Sequence, residues 1–445
     1  MKRVLFIEWA SKGRDFDIDL PLMYFFENIL DYKVEYKSIF DLWGIINSKP
    51  DIIIMSNTTG GKANVRMAKI IKKSGFKLFS HCSEGIFNQK DIRSFVWGWN
   101  NDEELYEHFT QYWSKSSYDL SIKNYPKIKS KVAISGSLGH DKYSYSSLSH
   151  KKNKYTICYA ANDFHNLKDN EERLIKKSGE KFFKKNQEYA KKINKILNLI
   201  IKENPKITFL IKPHPGDGDR LPMEIQGLNY KNMKVLQRTS SMLDTIKQCD
   251  IWLNFRSSTG FEASLYGLPS ISFCCDEELA LHSEFIQASI VESDPLRVDQ
   301  YIKEFYKTGK ILELEDKRKS LSTLVRKFIG FSDGFNHVRF MSFLKPYIES
   351  DIEKGKWQFS FREKVNAFIY HIYYKFQFFL PKNDYINRWR DLFDPEDIIE
   401  QKKKRHPELD QFYKDNKEQI QDIYQNYAKQ WKEINNIDEI DYTKN

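Results

Sequence analysis

The sequence predicts an α/β protein made of two doubly wound parallel-sheet halves followed by a C-terminal helical extension. Short apolar or β-branched runs alternate with helix-period segments over most of the chain, the pattern of consecutive βαβ units. A Ser/Lys-rich stretch, SYSSLSHKKNK at 144–154, interrupts this alternation, and a second series starts after it. With 445 residues the chain is also longer than one ordinary core spans. The predicted divisions are 1–150, 151–345 and 346–445.

Taken in order, RVLFIEW is a strand, DLPLMYFFENILD a helix, KVEYKSI a strand and DIIIMSN a buried strand. ANVRMAKIIKKSG reads as a helix stopped by glycine, and KLFSHCSEG as a strand with its exit. SKVAISGSLGHDKY continues the series up to the linker. The second half opens on the strand YTICYAANDFHN and a long helix over 180–203. The strands KITFLI and MKVLQ, the helix MLDTIKQC, the strand DIWLNF, a helix over 260–266 and the strand PSISFC follow. No internal repeat is visible. Two such halves joined by one linker are expected to face each other across a cleft.

The chain carries 71 Lys and Arg against 61 Asp and Glu, a net charge of +10. That balance suits anionic partners, such as nucleotides, acidic sugars or an anionic membrane surface, without choosing among them. Five cysteines without a CxxC pair exclude a disulfide scaffold and a zinc ribbon, and fit reduced thiols. The apolar run at the amino terminus is too short for a signal peptide, and no stretch reaches the roughly 18 apolar residues of a spanning helix. A cytoplasmic protein, at most attached to the inner face of a membrane, is the expectation.

Two strand exits in the second half carry the chemistry. IKPHPGDGDR follows a buried strand; its prolines push Lys212 and His214 toward extended backbone and so hold an imidazole at the carboxyl edge of the sheet, where open α/β sheets bind ligands. In DIWLNFRSSTGFEASLYGLPSISF a strand is followed by Ser257, Ser258, Thr259 and Gly260, and then by a helix with Glu262 in its first turn. Helix starts present unpaired N–H groups and partial positive charge, so this entry reads as a phosphate site. An ordinary N-cap is the competing reading, although capping needs one hydroxyl rather than three.

The pair KPHP and RSSTGFEASLYGLP resembles the HP and SS/ST motifs of GT-B glycosyltransferases that build bacterial surface polysaccharides: polysialyltransferases, Kdo transferases and a looser surface carbohydrate biosynthesis group. SHCSEG, ISGSLGHD and YTICYAANDFHN extend the resemblance over residues 1–340. It implies a GT-B fold, with His214 on the nucleotide phosphate, Ser257, Ser258 and Thr259 holding it from the other side, and Glu262 at the ribose hydroxyls. Glu84 falls on the position of the general base, while Ser83 stands where relatives often carry a first acid. Glu8, Asp15 and Asp17 are the rival bases. The implied activity is transfer of a sugar to a cell-surface glycan or glycolipid, the donor a CMP-activated nonulosonic acid or Kdo.

Such transfer needs a base for the acceptor hydroxyl and stabilisation of the departing phosphate. Lys212 and Arg256 add positive charge at the phosphate, so neither a metal nor another cofactor is expected there. The acids of DFDID, 15–19, read as a solvated loop, and the Gly-Gly of SNTTGGKAN lacks a full phosphate-loop motif and reads as an acceptor-side loop or a plain turn. Asn162 to His165 form a strand exit with no metal-ligand spacing. Beyond 345 the chain mixes aromatics and cations; residues 357–390 suit either a membrane interface or a helix folded back onto the amino-terminal half. No nucleic-acid-binding pattern accompanies the charge. The alternatives are a UDP- or GDP-sugar transferase, a CDP-alditol phosphotransferase, a nucleotide-sugar epimerase, or a non-catalytic membrane-associated assembly protein.

Overall fold

The computed structural model describes residues 1–8, 14–83, 85, 92–144, 155–161, 175, 179–213, 225, 228–237, 240–255, 257–273, 284–292, 294, 296–350 and 354–376. These form two compact units. The first comprises Met1–Gly139, Lys327–Phe331 and, of the described chain, the residues from Phe335 on; the second comprises His140–Arg326 and Ser332–Gly334.

The first unit is built on a parallel sheet of order β2-β1-β3-β4, with β1 at Arg3–Glu8, β2 at Lys33–Ser38, β3 at Ile52–Met55 and β4 at Lys77–Ser80. A bridge from Phe79 to Phe109 leads to a parallel pair, β5 at Thr110–Tyr112 and β6 at Val132–Ile134. Strands covered on both faces read as continuous apolar runs, and β3, IIIM, is buried throughout. One face packs Leu5, Ile7, Ile53, Met55 and Leu78 against Val65, Ala68 and Ile71 of the helix Lys62–Lys73. The other face is aromatic. Phe6 meets Phe26 of the helix Arg14–Asn28 edge-on at 6.1 Å, and Phe79 meets Tyr347 of the helix Asn336–Glu349 at 5.8 Å.

The acids of DFDID are therefore not in a solvated loop. They occupy the first turns of the helix Arg14–Asn28, where Asp15 and Asp17 complement the helix dipole and Asp19 is completely buried. Pro21 sits within the same helix. The described residues 354–376 also return to this unit, while 377–390 of the aromatic segment lie outside the described residues. Trp357 meets Phe76 in a tilted contact at 4.4 Å and donates its indole N–H to Ser48 O (3.0 Å), Phe359 joins the core, and Trp43 meets Phe368 of the helix Phe361–Phe376 at 4.9 Å. Phe361, Phe368, Ile369 and Ile372 keep exposed surface. Among the described residues no helix is long and apolar enough to cross a membrane.

Where the chain leaves the first unit, Gly136 has φ +85°, and a Cβ there would lie 1.9 Å from Asn336 Oδ1. Only glycine permits that approach. Asn336 uses it to donate its amide to Ser137 O (3.0 Å).

The described strands of the second unit form one parallel sheet of order β12-β11-β10-β7-β8-β9. They are β7 at Thr156–Ala160, β8 at Thr208–Lys212, β9 at Met233–Val235, β10 at Ile251–Phe255, β11 at Ser270–Phe273 and β12 at Ile290–Glu292. The order runs outward in both directions from β7 and β10. This is the dinucleotide-fold arrangement, with its switch point between those two strands. The helix Glu180–Glu203 contributes Ala190, Ile193, Leu197 and Ile201 to one side of the core, and Val298, Tyr301 and Ile302 extend it. On the opposite face Trp252 is fully buried with Cys158, Cys249 and Leu210. Burial pushes the Cys158 thiol well up, and neither Cys158 nor Cys249 forms a disulfide.

Candidate functional site

In the second unit the phosphate-type residues gather at the carboxyl edge around the switch point. Asn254, near the end of β10 and fully buried, organises the turn. Its Oδ1 accepts from Ser257 N (2.9 Å) and Ser272 Oγ (3.0 Å), while Nδ2 donates to Ile271 O (3.2 Å). Gly260 lets the helix Thr259–Tyr266 come close, since a Cβ there would lie 2.6 Å from Asn254 Nδ2 and 2.9 Å from Ser289 Oγ.

The three hydroxyls divide their work. Thr259 Oγ1 accepts from the Trp252 indole (3.1 Å) and donates to Ser257 Oγ (3.0 Å), which also accepts from Thr259 N (3.3 Å). Ser258 occupies the N-cap position in helical conformation, makes no capping bond with its side chain, and is exposed. The turn is thus fixed by Asn254 and Thr259, and the hydroxyl of Ser258 is presented at the helix start.

Lys212 ends β8, on the far side of β7 from β10. It is almost fully buried and donates to Ser240 O (3.0 Å), and burial holds its ammonium below the ordinary lysine range while Glu262 and Cys158 act in the opposite sense. Glu262 accepts a short hydrogen bond from the hydroxyl of buried Tyr143. The structure therefore brings together Lys212, Ser257, Ser258, Thr259 and Glu262. His214 and Arg256, and Asn162 to His165, lie outside the described residues.

In the first unit Glu84 lies outside the described residues, but its neighbours are placed. Cys82 O accepts the Trp113 indole N–H (2.6 Å), which ties the exit of β4 to the chain after β5. A set of buried ionisable groups stands at the carboxyl edge of this sheet. Glu8, the last residue of β1, accepts from both the N–H and the hydroxyl of Ser56. Asp19 Oδ1 lies 2.8 Å from His81 Nε2, with both side chains at zero exposure. Burial, reinforced by Asp19 and Asp15, pushes the Glu8 carboxyl well up, and burial does the same to Asp19. Glu8 is buried, and each of its carboxylate oxygens accepts one hydrogen bond from Ser56.

A second buried acid, Glu107, accepts from Thr58 Oγ1 (3.0 Å) and Ser80 Oγ (3.1 Å) through Oε1, whereas Oε2 accepts no hydrogen bond. Burial raises its pKa, so the folded state holds this proton more tightly than the unfolded chain does. The associated stability is complete below the ordinary carboxylate range and is lost as the pH rises through the raised value. Glu107→Gln keeps an acceptor for both hydroxyls. It should melt at a higher temperature than wild type at pH 8, with the gap closing near pH 4.

Asp19, His81, Glu107, Asn254 and Tyr143 did not stand out in the sequence as site residues. The hydroxyl run after Asn254 was the one local signal pointing to any of them.

No family model matches the sequence, and no curated protein matches it significantly. Solved structures do. The MnaA–UDP complex of S. aureus is similar with a TM-score of 0.51 at 15% identity, over 81% of this chain and 100% of the other. The crystal structure of a UDP-N-acetylglucosamine 2-epimerase is similar with a TM-score of 0.50 at 11% identity, again over 81% and 100%. At such identities the likeness is one of fold. The chain has the GT-B type of fold, with two Rossmann-like α/β units in one polypeptide.

Proposed function

We propose that this protein is a nucleotide-sugar-dependent glycosyltransferase that builds a cell-surface glycan, working in the cytoplasm at the inner face of the membrane. One observation carries the reading. At the switch point of the second unit's sheet, a helix start with an exposed, non-capping Ser258 stands at the same edge as buried Lys212 and Glu262. Helix N–H groups, a hydroxyl and an ammonium suit a phosphate, and a carboxylate suits ribose hydroxyls.

The narrower reading is a CMP-linked nonulosonic acid or Kdo as donor, His214 and Arg256 at the phosphate, and Glu84 as the base that takes the acceptor proton. It is supported by the motif pairing of KPHP with RSSTGFEASLYGLP. Positive charge at the phosphate comes from the protein, so EDTA should leave nucleotide affinity unchanged.

Calorimetric titration with CMP, CDP, UDP and GDP tests the donor, with CMP expected to bind most tightly. Ser257→Ala/Ser258→Ala should weaken that binding by about tenfold or more, the worth of one or two hydrogen bonds to a charged group, with an unchanged melting curve. Loss of folding would instead make these hydroxyls structural. Tightest binding of UDP, together with isomerisation of a UDP-sugar in the absence of acceptor, would replace transfer by epimerisation.

A further inference from the structure

We propose that Glu8, Asp19 and His81 form a binding site for one divalent first-row transition ion, which joins β1, the helix Arg14–Asn28 and the exit of β4. The site lies in the first unit, and the residues proposed for the nucleotide lie in the second.

Strand register creates the juxtaposition. Ile7 pairs with Met55 and Met55 with Ser80, so the next residue on each strand, Glu8, Ser56 and His81, forms a row across three adjacent parallel strands. Neighbours in such a row project to the same side of the sheet. That side is the one occupied by Phe6 and the helix Arg14–Asn28, and the helix adds Asp19. One ligand atom from each of Glu8, Asp19 and His81 falls within 4.8 Å of the other two. Metal bonds of about 2.0–2.2 Å to oxygen and nitrogen place ligand atoms about 3–4 Å apart, so small side-chain adjustments close the triad on an ion.

The surroundings are those of a ligand set. Ser56 fixes the Glu8 carboxylate with two donors, the role of an outer shell around a metal ligand. Asp19 Oδ2, in a side chain with no exposure, receives no hydrogen bond. Two buried carboxyls side by side need compensating positive charge, and a dipositive ion with neutral His81 leaves the cluster neutral. One imidazole with two carboxylates favours Mn²⁺, Fe²⁺, Co²⁺ or Zn²⁺ over Mg²⁺ and Ca²⁺.

The test uses the full-length chain, stripped with a chelator and dialysed separately against Mn²⁺, Co²⁺ and Zn²⁺. Elemental analysis should find one equivalent more in wild type than in Glu8→Gln/Asp19→Asn. Saturation should raise the wild-type Tm by about 5 °C, as expected for a ligand that binds only the folded state, and leave the double variant unmoved. If the double variant does not fold, wild type alone decides through the Tm with and without ion and the visible bands of bound Co²⁺. An unshifted Tm with no stoichiometric uptake would overturn the site and leave two carboxyls sharing a proton. Nucleotide titration of the stripped protein separates the two proposals, since the residues proposed to hold the nucleotide, Lys212, Ser257, Ser258, Thr259 and Glu262, are not those of the metal site.

Discussion

His214→Ala is expected to lower turnover by about 10²-fold or more while leaving the melting curve in place. The strand β8 ends at Lys212, and Pro213 and Pro215 flank the histidine. His214 itself lies outside the described residues; in sequence it follows the end of β8 by two residues, and phosphate ligands of this kind of sheet sit past the carboxyl ends of its strands. As the bond to the departing nucleotide breaks, charge grows on the phosphate, and a donor aimed at that charge contributes most in the transition state. Removal of one such donor elsewhere costs about 10²–10³ in rate. Release of nucleotide in the presence of acceptor measures the effect, and calorimetry should show weakened binding alongside it. Wild-type turnover in a folded variant would remove His214 from the site.

Asn254→Ala should act quite differently. It removes the acceptor of Ser257 N and Ser272 Oγ and the donor to Ile271 O, all inside a fully buried turn. Leaving several such groups without partners costs about 2–4 kcal/mol, so denaturant midpoints should fall sharply. Nucleotide affinity should fall as well, because this side chain sets the position of the Ser257–Thr259 turn. Ser258→Ala, which removes an exposed hydroxyl, should leave stability unchanged. A stable Asn254→Ala protein with normal affinity would mean that the turn is held by its backbone alone.

Much of the fold could be read from the sequence because strands covered on both faces are spelled as apolar runs; IIIM and TICYA are such words. The three-residue strands TQY and IVE carry no comparable pattern and were not foreseen. The phosphate-type turn was legible because hydroxyls and glycine crowd one strand exit. Asp19 was not, since an acid early in an amphipathic helix looks like any surface acid. What sets it apart is His81, which lies 62 residues further along and meets it only through the register of three strands. The aromatic segment after 350 illustrates the same limit: Trp357 and Phe359 belong to the first unit's core, whereas Phe361 and Ile372 stay exposed, and composition alone does not separate the two groups.

The first unit is written in the chain in three pieces, with His140–Arg326 of the second unit inserted after the first of them, and this has a consequence for synthesis. Ser137 waits for the amide of Asn336 199 residues later, and the ammonium of Lys77 waits for Tyr347 O 270 residues later. At about 5–20 residues per second the ribosome takes roughly 10–50 s to deliver that helix. During this interval the aromatic face of Phe79 and Phe109 has no cover in the nascent chain. The inserted unit, in contrast, emerges with its described strands, β7 to β12, in one uninterrupted stretch and can finish first. A segment made late therefore completes one made early, and until translation reaches the helix Asn336–Glu349 the sheet of the first unit is a natural client for chaperones.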